Sequence, residues 1–367
     1  MKRRLVLVSL IAIFLLSGCN NDFEKERLEQ ALKALRAGEY EESIAAYEEI
    51  LEKEKKSEEA YLGLSNVYAE QQKMDEAINV LKEGIDIVKD KTKLLLELGK
   101  RYFATQDFRK AEEAWLDITD TKKDHLVAYR ALVQLYQSQN EGDKASKLIE
   151  TAVKENEENV KFHSLAANVH IKNEEMDKAI TAIQNGLNLD INENALYESI
   201  TYAYNNGYSQ IASKGEEQIK ADKKKSSGYM MAFYGHFLDG EFEKAIEAAE
   251  PIKKKMQDEA LKVRLALSYH LTGKESTAKE MMDSIDLNDI ENVNALSDIL
   301  FYYQTIGELE KAISLGEEML EKHKDEKLYW LLYDFTKDEK FLQKLGLLDW
   351  SHELSEEESL EIQTKGM

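Results

Sequence analysis

The chain has 367 residues, 49 Lys plus Arg against 71 Asp plus Glu, a formal net charge of −22, and 43% hydrophobic residues. That apolar share suffices for a core and excludes wholesale disorder, while the acidity argues against nucleic acid and against electrostatic docking on anionic lipid. One cysteine excludes an intramolecular disulfide and a cysteine-based metal cluster, and a single proline with 17 glycines favours a mostly helical chain.

In chain order, Lys2, Arg3 and Arg4 precede an apolar run from Leu5 to Leu16. That run is shorter than the ~20 residues a bilayer span needs, and Ser17 and Gly18 follow it, so residues 1–18 read as a removable secretory signal. Leu16-Ser17-Gly18-Cys19 resembles the bacterial lipobox. The resemblance implies that Cys19, the one cysteine of the chain, is linked to diacylglycerol and becomes the first residue after cleavage. Removing residues 1–18 deletes three positive charges from −22 and leaves −25. Residues 19–23 are then a short tether to a membrane. The expected location is the extracytoplasmic face of a Gram-positive cell membrane, a preference drawn from the Lys-, Glu-, Ile- and Asn-rich, Pro-poor composition. Asn20 would favour the outer membrane in a Gram-negative cell.

From residue 24 the sequence repeats with a period of 34, with five gapless units starting at 24, 58, 92, 126 and 160. The recurring string is GEYEESIAAYEEIL (38–51), QKMDEAINVLKEGI (72–85), QDFRKAEEAWLDI (106–118), NEGDKASKLIETAV (140–153) and EEMDKAITAIQNGL (174–187). The twentieth position holds Ser43, Ala77, Ala111, Ala145 and Ala179, and the eighth holds Ala31, Ser65, Gly99, Val133 and Ala167. Small residues there let two antiparallel helices approach closely. At the eleventh stand Ala34, Tyr68, Tyr102, Tyr136 and His170, mostly rings that fill space between neighbouring pairs. Apolar residues recur at three- and four-residue spacings within each half, as amphipathic helices require. A degenerate unit follows from 194, further units start near 226, with the clear string DGEFEKAIEAAEPI (239–252), and near 259 and 293, and 327–350 reads as a terminal cap.

This period and this spacing of small and aromatic positions resemble the tetratricopeptide repeat family. The resemblance implies an all-α solenoid of about nine helix pairs with a C-terminal capping helix. The run KADKKKSSG (220–228) reads as the weakest joint, dividing a block at 24–225 from a second at 226–350, before an acidic tail at 351–367. The family's usual proline is missing from every unit, and Pro251 lies inside a second helix, which it should kink or end early.

No catalytic constellation stands out. His163 and His170 occupy core positions where other units carry Tyr129 and Tyr136, and His236 and His270 show no carboxylate pair at ligand spacing along the chain. DINEN (190–194) opens like a calcium loop but has Ala195 and Thr201 where glycine and the bidentate glutamate belong. Phosphate-loop, HExxH and GxSxG motifs are absent. The expectation is therefore a non-enzyme with no cofactor and no metal.

The resemblance further implies that first helices line a concave groove for a protein or peptide. Carried over by position, the groove candidates are Asn66, Lys100, Arg130, Gln134, Asn168, Lys172, Tyr202, Tyr234, Phe237 and Phe301, with Met230 beside them. Lys100, Arg130 and Lys172 form a basic strip in an acidic body, and the later half is richer in aromatics and Met. A chaperone-binding carboxylate clamp is not implied, because unit two has Asn66 at its ninth position but Leu62 at its fifth. Two functions remain open: a lipid-anchored binding scaffold, and an assembly factor or pilotin for a secretion, pilus or wall-synthesis machine. Oligomeric state stays open.

Overall fold

The computed structural model describes residues 23–285, 293–323 and 326–344. Cys19, the signal segment and the acidic tail lie outside the described residues. The fold is an all-α solenoid of antiparallel helix pairs, and the described residues contain no strand. They fall into two compact units, up to Glu157 and from Glu158 onward.

The first unit holds α1 (23–37) with α2 (Tyr40–Lys53), α3 (Glu58–Glu70) with α4 (Met74–Ile87), α5 (Thr92–Ala104) with α6 (Phe108–Thr121), and α7 (Leu126–Ser138) with α8 (Gly142–Glu155). The second unit opens with α9 (Val160–Lys172) and α10 (Met176–Leu189), then α11 (Asn194–Asn205) and α12 (Ile211–Ala221), α13 (Ser226–Leu238) and α14 (Phe242–Ala249). It continues through α15 (Glu259–Leu271) and α16 (Glu275–Asp283), then α17 (Val293–Thr305) and α18 (Leu309–His323). A final helix α19 (Glu326–Thr336) and the short α20 (Lys340–Lys344) form the cap. The first helices begin where the period places them, at 58, 92, 126 and 160, and then at 194, 226, 259 and 293.

Small residues explain the pairing. Ser43, Ala77, Ala111, Ala145 and Ala179, the five twentieth positions, are all 0% exposed. Ser43 Oγ donates to the carbonyl of Ala31, the eighth position of the same unit, at 2.9 Å. Larger side chains at either place would push the helices apart. Each pair buries its outer face against the next first helix. Tyr47 and Ile50 of α2 pack with Leu64 and Val67 of α3, and Tyr61 of α3 with Leu81 of α4 and Leu94 and Leu98 of α5. Stability is thus shared between neighbours, as in repeat arrays generally.

One turn closes every pair. A residue one or two places past the first helix takes positive φ: Gly38, Gln72, Gln106, Asn140, Glu174, Gly207, Gly240, Gly273 and Gly307. The next amide then donates back to the end of the first helix, as in Lys73 N to Tyr68 O and Glu141 N to Tyr136 O, both 2.8 Å. This satisfies a carbonyl that the helix end leaves open.

Two departures concern the second unit. Pro251 stops α14 at Ala249, and the chain continues as a 3-10 turn over Lys253–Lys255, as its missing amide hydrogen requires. The turn at 220–228, read from sequence as a weak joint, connects two helices packed backbone to backbone. An added Cβ at Gly215 would lie 2.4 Å from the Ala232 nitrogen, and one at Gly235 would lie 2.4 Å from the Ala212 nitrogen. The division between compact units falls after Glu157.

Candidate functional site

The first-helix faces are the surfaces that the repeat arrangement offers. In the first unit, Asn66 on α3, Lys100 on α5, and Arg130 and Gln134 on α7 are all exposed. Two of them join one polar chain. Arg101 Nη2 donates to Asn66 Oδ1 at 2.6 Å and pairs with Glu97 Oε1 at 2.7 Å, and Lys100 Nζ reaches Glu97 Oε2 at 3.1 Å. Glu97, with a side chain only 16% exposed, therefore neutralises part of the positive charge read from sequence. Arg130 makes no ion pair among the described residues and remains the freest cation of the group.

In the second unit, Lys172 on α9 is exposed and Asn168 half-buried. Tyr202 on α11 and Phe301 on α17 are 39% and 42% exposed. Phe237 on α13 is half-buried, with ring centroids of Tyr234 at 6.4 Å and Phe242 at 5.9 Å. Tyr234 itself is 1% exposed and Met230 0%, so both belong to the interior and offer no ligand surface. The aromatic richness of the later half is to that extent core packing. Tyr234 lies against Tyr197 of α11 at 5.2 Å, and its hydroxyl meets Thr201 Oγ1 at 3.2 Å.

Behind these faces lies a buried ion pair that the sequence reading missed. Arg264 of α15 is 4% exposed, its Nε is 2.9 Å from Asp298 Oδ2 of α17, and its guanidinium carbon sits 4.8 Å from the Tyr234 ring centroid. Its Nη1 has no hydrogen-bond partner among the described residues. Burial raises the Tyr234 hydroxyl pKa above its ordinary value despite the nearby guanidinium. The available signal was a charge at the sixth unit position of an apolar helix, LKVRLALSYHL, answered by an opposite charge 34 residues later.

The histidines resolve into turn chemistry. His163 and His170 are buried, 5% and 4% exposed, as expected of core positions. His170 Nδ1 and Glu175 Oε2 are 2.7 Å apart, and Lys178 Nζ pairs with Glu175 Oε1 at 2.8 Å. The same three-residue clamp recurs at His236, Glu241 and Lys244, with the same 2.7 and 2.8 Å separations. At the same positions of an earlier unit, Lys144 pairs with Glu141 at 3.3 Å and stands 4.3 Å from the Tyr136 ring centroid, while the Tyr136 hydroxyl donates to Glu112 of the preceding repeat. The eleventh, sixteenth and nineteenth unit positions thus tie the first helix to the second.

His236 is not isolated from carboxylates, contrary to its reading from sequence. Glu216 Oε1 lies 3.0 Å from its Nε2, and His236, Asp239 and Glu241 bring three potential ligand atoms within 4.8 Å. Glu216 stands 20 residues away on another helix, which no linear spacing reveals. Glu241 is already shared between His236 and Lys244, so the cluster has the arrangement of the other clamps. DINEN is likewise structural: Asp190 Oδ1 accepts from Asn192 N at 2.8 Å in a tight turn. No helix among the described residues is long and apolar enough to cross a membrane.

Paired helices, small residues where they cross and a repeated turn clamp define a helical-repeat solenoid. Two tetratricopeptide repeat families match the chain, over residues 34–91 and 130–187, so the chain carries tetratricopeptide repeats there. It is 25% identical over 167 residues to lipopolysaccharide assembly protein B of Escherichia coli strain K12, covering 43% of each chain. The chain thus spans less than half the length of the curated relatives it matches. Solved structures similar to it include MamA, at 18% identity and a TM-score of 0.36, covering 47% of this chain and 94% of that one. Another is a Pseudomonas aeruginosa pilF structure, at 10% identity and a TM-score of 0.37, covering 72% of this chain and 98% of that one.

Proposed function

We propose that this chain is a membrane-anchored scaffold that docks a protein or peptide on its first-helix faces. The anchor in this reading is diacylglycerol on Cys19, at the extracytoplasmic face of a cell membrane, with a Gram-positive envelope favoured. The observation that carries the docking is the exposed set Asn66, Lys100, Arg130 and Gln134 on consecutive first helices of the first unit. Repeat stacking sets such side chains in a row, so an extended segment can meet several of them at once. Tyr202 and Phe301 add exposed apolar contacts in the second unit.

Two experiments test the two halves of this reading. Crosslinking from membranes should lose its main protein partner when Lys100, Arg130 and Lys172 are all replaced by Ala; an unchanged partner set removes the basic strip from the account. Cys19→Ala should move the protein from the membrane to the soluble fraction with its helical signal intact, and a variant that stays in the membrane fraction refutes the lipid anchor.

A second reading, an assembly factor for an envelope machine, is favoured by the likeness to lipopolysaccharide assembly protein B. It predicts loss of function on deleting α19 and α20 while the triple substitution remains active.

A further inference from the structure

The two lysine runs of the second unit meet. KKKSS (223–227) and KKK (253–255) lie on successive turns between helix pairs. Because Pro251 ends α14 early, the second run forms a 3-10 turn beside the first. The preceding turn fixes it in place: Asn192 Nδ2 donates to Lys255 O at 3.2 Å, and Asn192 Oδ1 accepts from Gln257 N at 2.7 Å and Asp258 N at 3.2 Å. Ser227 Oγ donates to Asn188 Oδ1 at 2.6 Å, tying the start of α13 to the end of α10. These turns line an open cavity of about 830 Å³ whose charged residues are Lys224, Lys225, Lys254, Lys255 and Asp190.

Four ammonium groups against one carboxylate is a local inversion in a chain of −22. The excess of positive charge is not neutralised locally, whereas Lys110, Lys122, Lys144, Lys178 and Lys244 each hold a carboxylate within 2.8 Å. Lys224, Lys225 and Lys254 make no ion pair among the described residues, and Lys255 Nζ donates to the neutral Ser226 Oγ at 2.8 Å. The start of α13 opens on the same cavity, and Lys225, its N-cap, makes no capping hydrogen bond. Lysines clustered on one lining attract phosphate oxygens as point charges, and this lining contains no guanidinium.

We propose that this cavity binds a phosphate-bearing ligand, with Lys224, Lys225, Lys254 and Lys255 contacting the phosphate oxygens and Asn192 positioning the second lysine run. The site is separate from the first-helix faces and stands whether or not those faces dock a protein.

Calorimetric titration of the full chain with pyrophosphate and, separately, with water-soluble dihexanoylphosphatidylglycerol tests this. Binding of at least one probe is expected, weakening as salt rises and falling tenfold or more in the Lys224→Gln, Lys225→Gln, Lys254→Gln, Lys255→Gln variant. Replacing Lys147, Lys154 and Lys161 by Gln should leave it unchanged. Tighter binding of the glycerol lipid than of pyrophosphate identifies a lipid headgroup as the source, and the reverse order identifies a soluble phosphate. No heat of binding with either probe at 10 mM, or a quadruple variant that melts and binds as the parent does, overturns the proposal. So does a poly-glutamate peptide that binds as tightly as the phosphate probes.

Discussion

Arg264 Nε and Asp298 Oδ2 meet at 2.9 Å between α15 and α17, from the same position of consecutive repeats. The guanidinium is 4% exposed and stacks near the Tyr234 ring. Removing only one partner of such a pair strands the other charge, at a cost of about 3–5 kcal/mol in a fully buried setting. The Asp298 side chain keeps 21% of its exposure, so Asp298→Ala should cost somewhat less. The double variant Arg264→Met, Asp298→Leu should recover most of that loss. Urea unfolding of the single and double variants measures both, and a double variant as unstable as Asp298→Ala refutes the account.

Gln106 holds a φ of 60° in the turn between α5 and α6, where five other repeats have glycine at the equivalent place. A side chain in that conformation costs roughly 1–2 kcal/mol per residue. Gln106→Gly should therefore stabilise the first unit by about 1 kcal/mol, against the usual effect of adding glycine. Asn140→Gly should gain less, since asparagine tolerates left-handed backbone. Thermal unfolding of the two variants compares them directly.

Gly235→Ala should have the opposite sign. The new methyl would stand 2.4 Å from the Ala212 nitrogen, and backbone cannot rotate aside as a side chain can. A loss of about 3 kcal/mol or more is expected from such overpacking. Gly186→Ala, whose nearest neighbours are Leu196 methyl groups at 2.9 Å, should cost less. Equal melting temperatures for the two would contradict this packing.

Glu112 predicts a pH dependence. Burial alone would raise its pKa, but Lys144 at 2.7 Å and the Tyr136 hydroxyl at 2.7 Å outweigh it and hold the carboxyl below its ordinary value. A carboxylate lowered on folding contributes stability above its unfolded pKa of about 4.3, and that contribution disappears as pH falls through the folded value. Glu112→Gln should cost on the order of 1 kcal/mol at pH 7 and flatten the acid limb of the stability profile. Melting the parent and the variant between pH 7 and pH 2 gives the comparison.

The repeat register was legible because it rests on residues that cannot vary without parting the helices: the twentieth-position alanines and Ser43, and the small eighth positions. Pro251 was legible for a similar reason, since a missing amide hydrogen acts within its own helix. What stayed hidden depends on contacts between helices. A lone arginine in LKVRLALSYHL resembles a surface residue until Asp298 is placed beside it. His236 meets Glu216 only because α12 brings that carboxylate across from 20 residues away. Tyr234 shares its unit position with the exposed Tyr202, yet it is covered, because α13 packs closely against both α12 and α14. The close packing of α12 on α13 was hidden for the same reason, since the glycines that allow it lie at 215 and 235, to either side of the lysines at 223–225.

That glycine crossing bears on how an anion would be captured. With Gly215 against Ala232 and Gly235 against Ala212 at backbone distance, the two ends of the 222–225 turn are set by the main chain. A ligand arriving there would order lysine side chains and little backbone. The entropy lost on capture would then be of the kind carried by rotamers, about 0.5–1.5 kcal/mol for each side chain immobilised. Hydrogen exchange at the first amides of α13 should accordingly be slow before any ligand is added, and should slow little further afterwards.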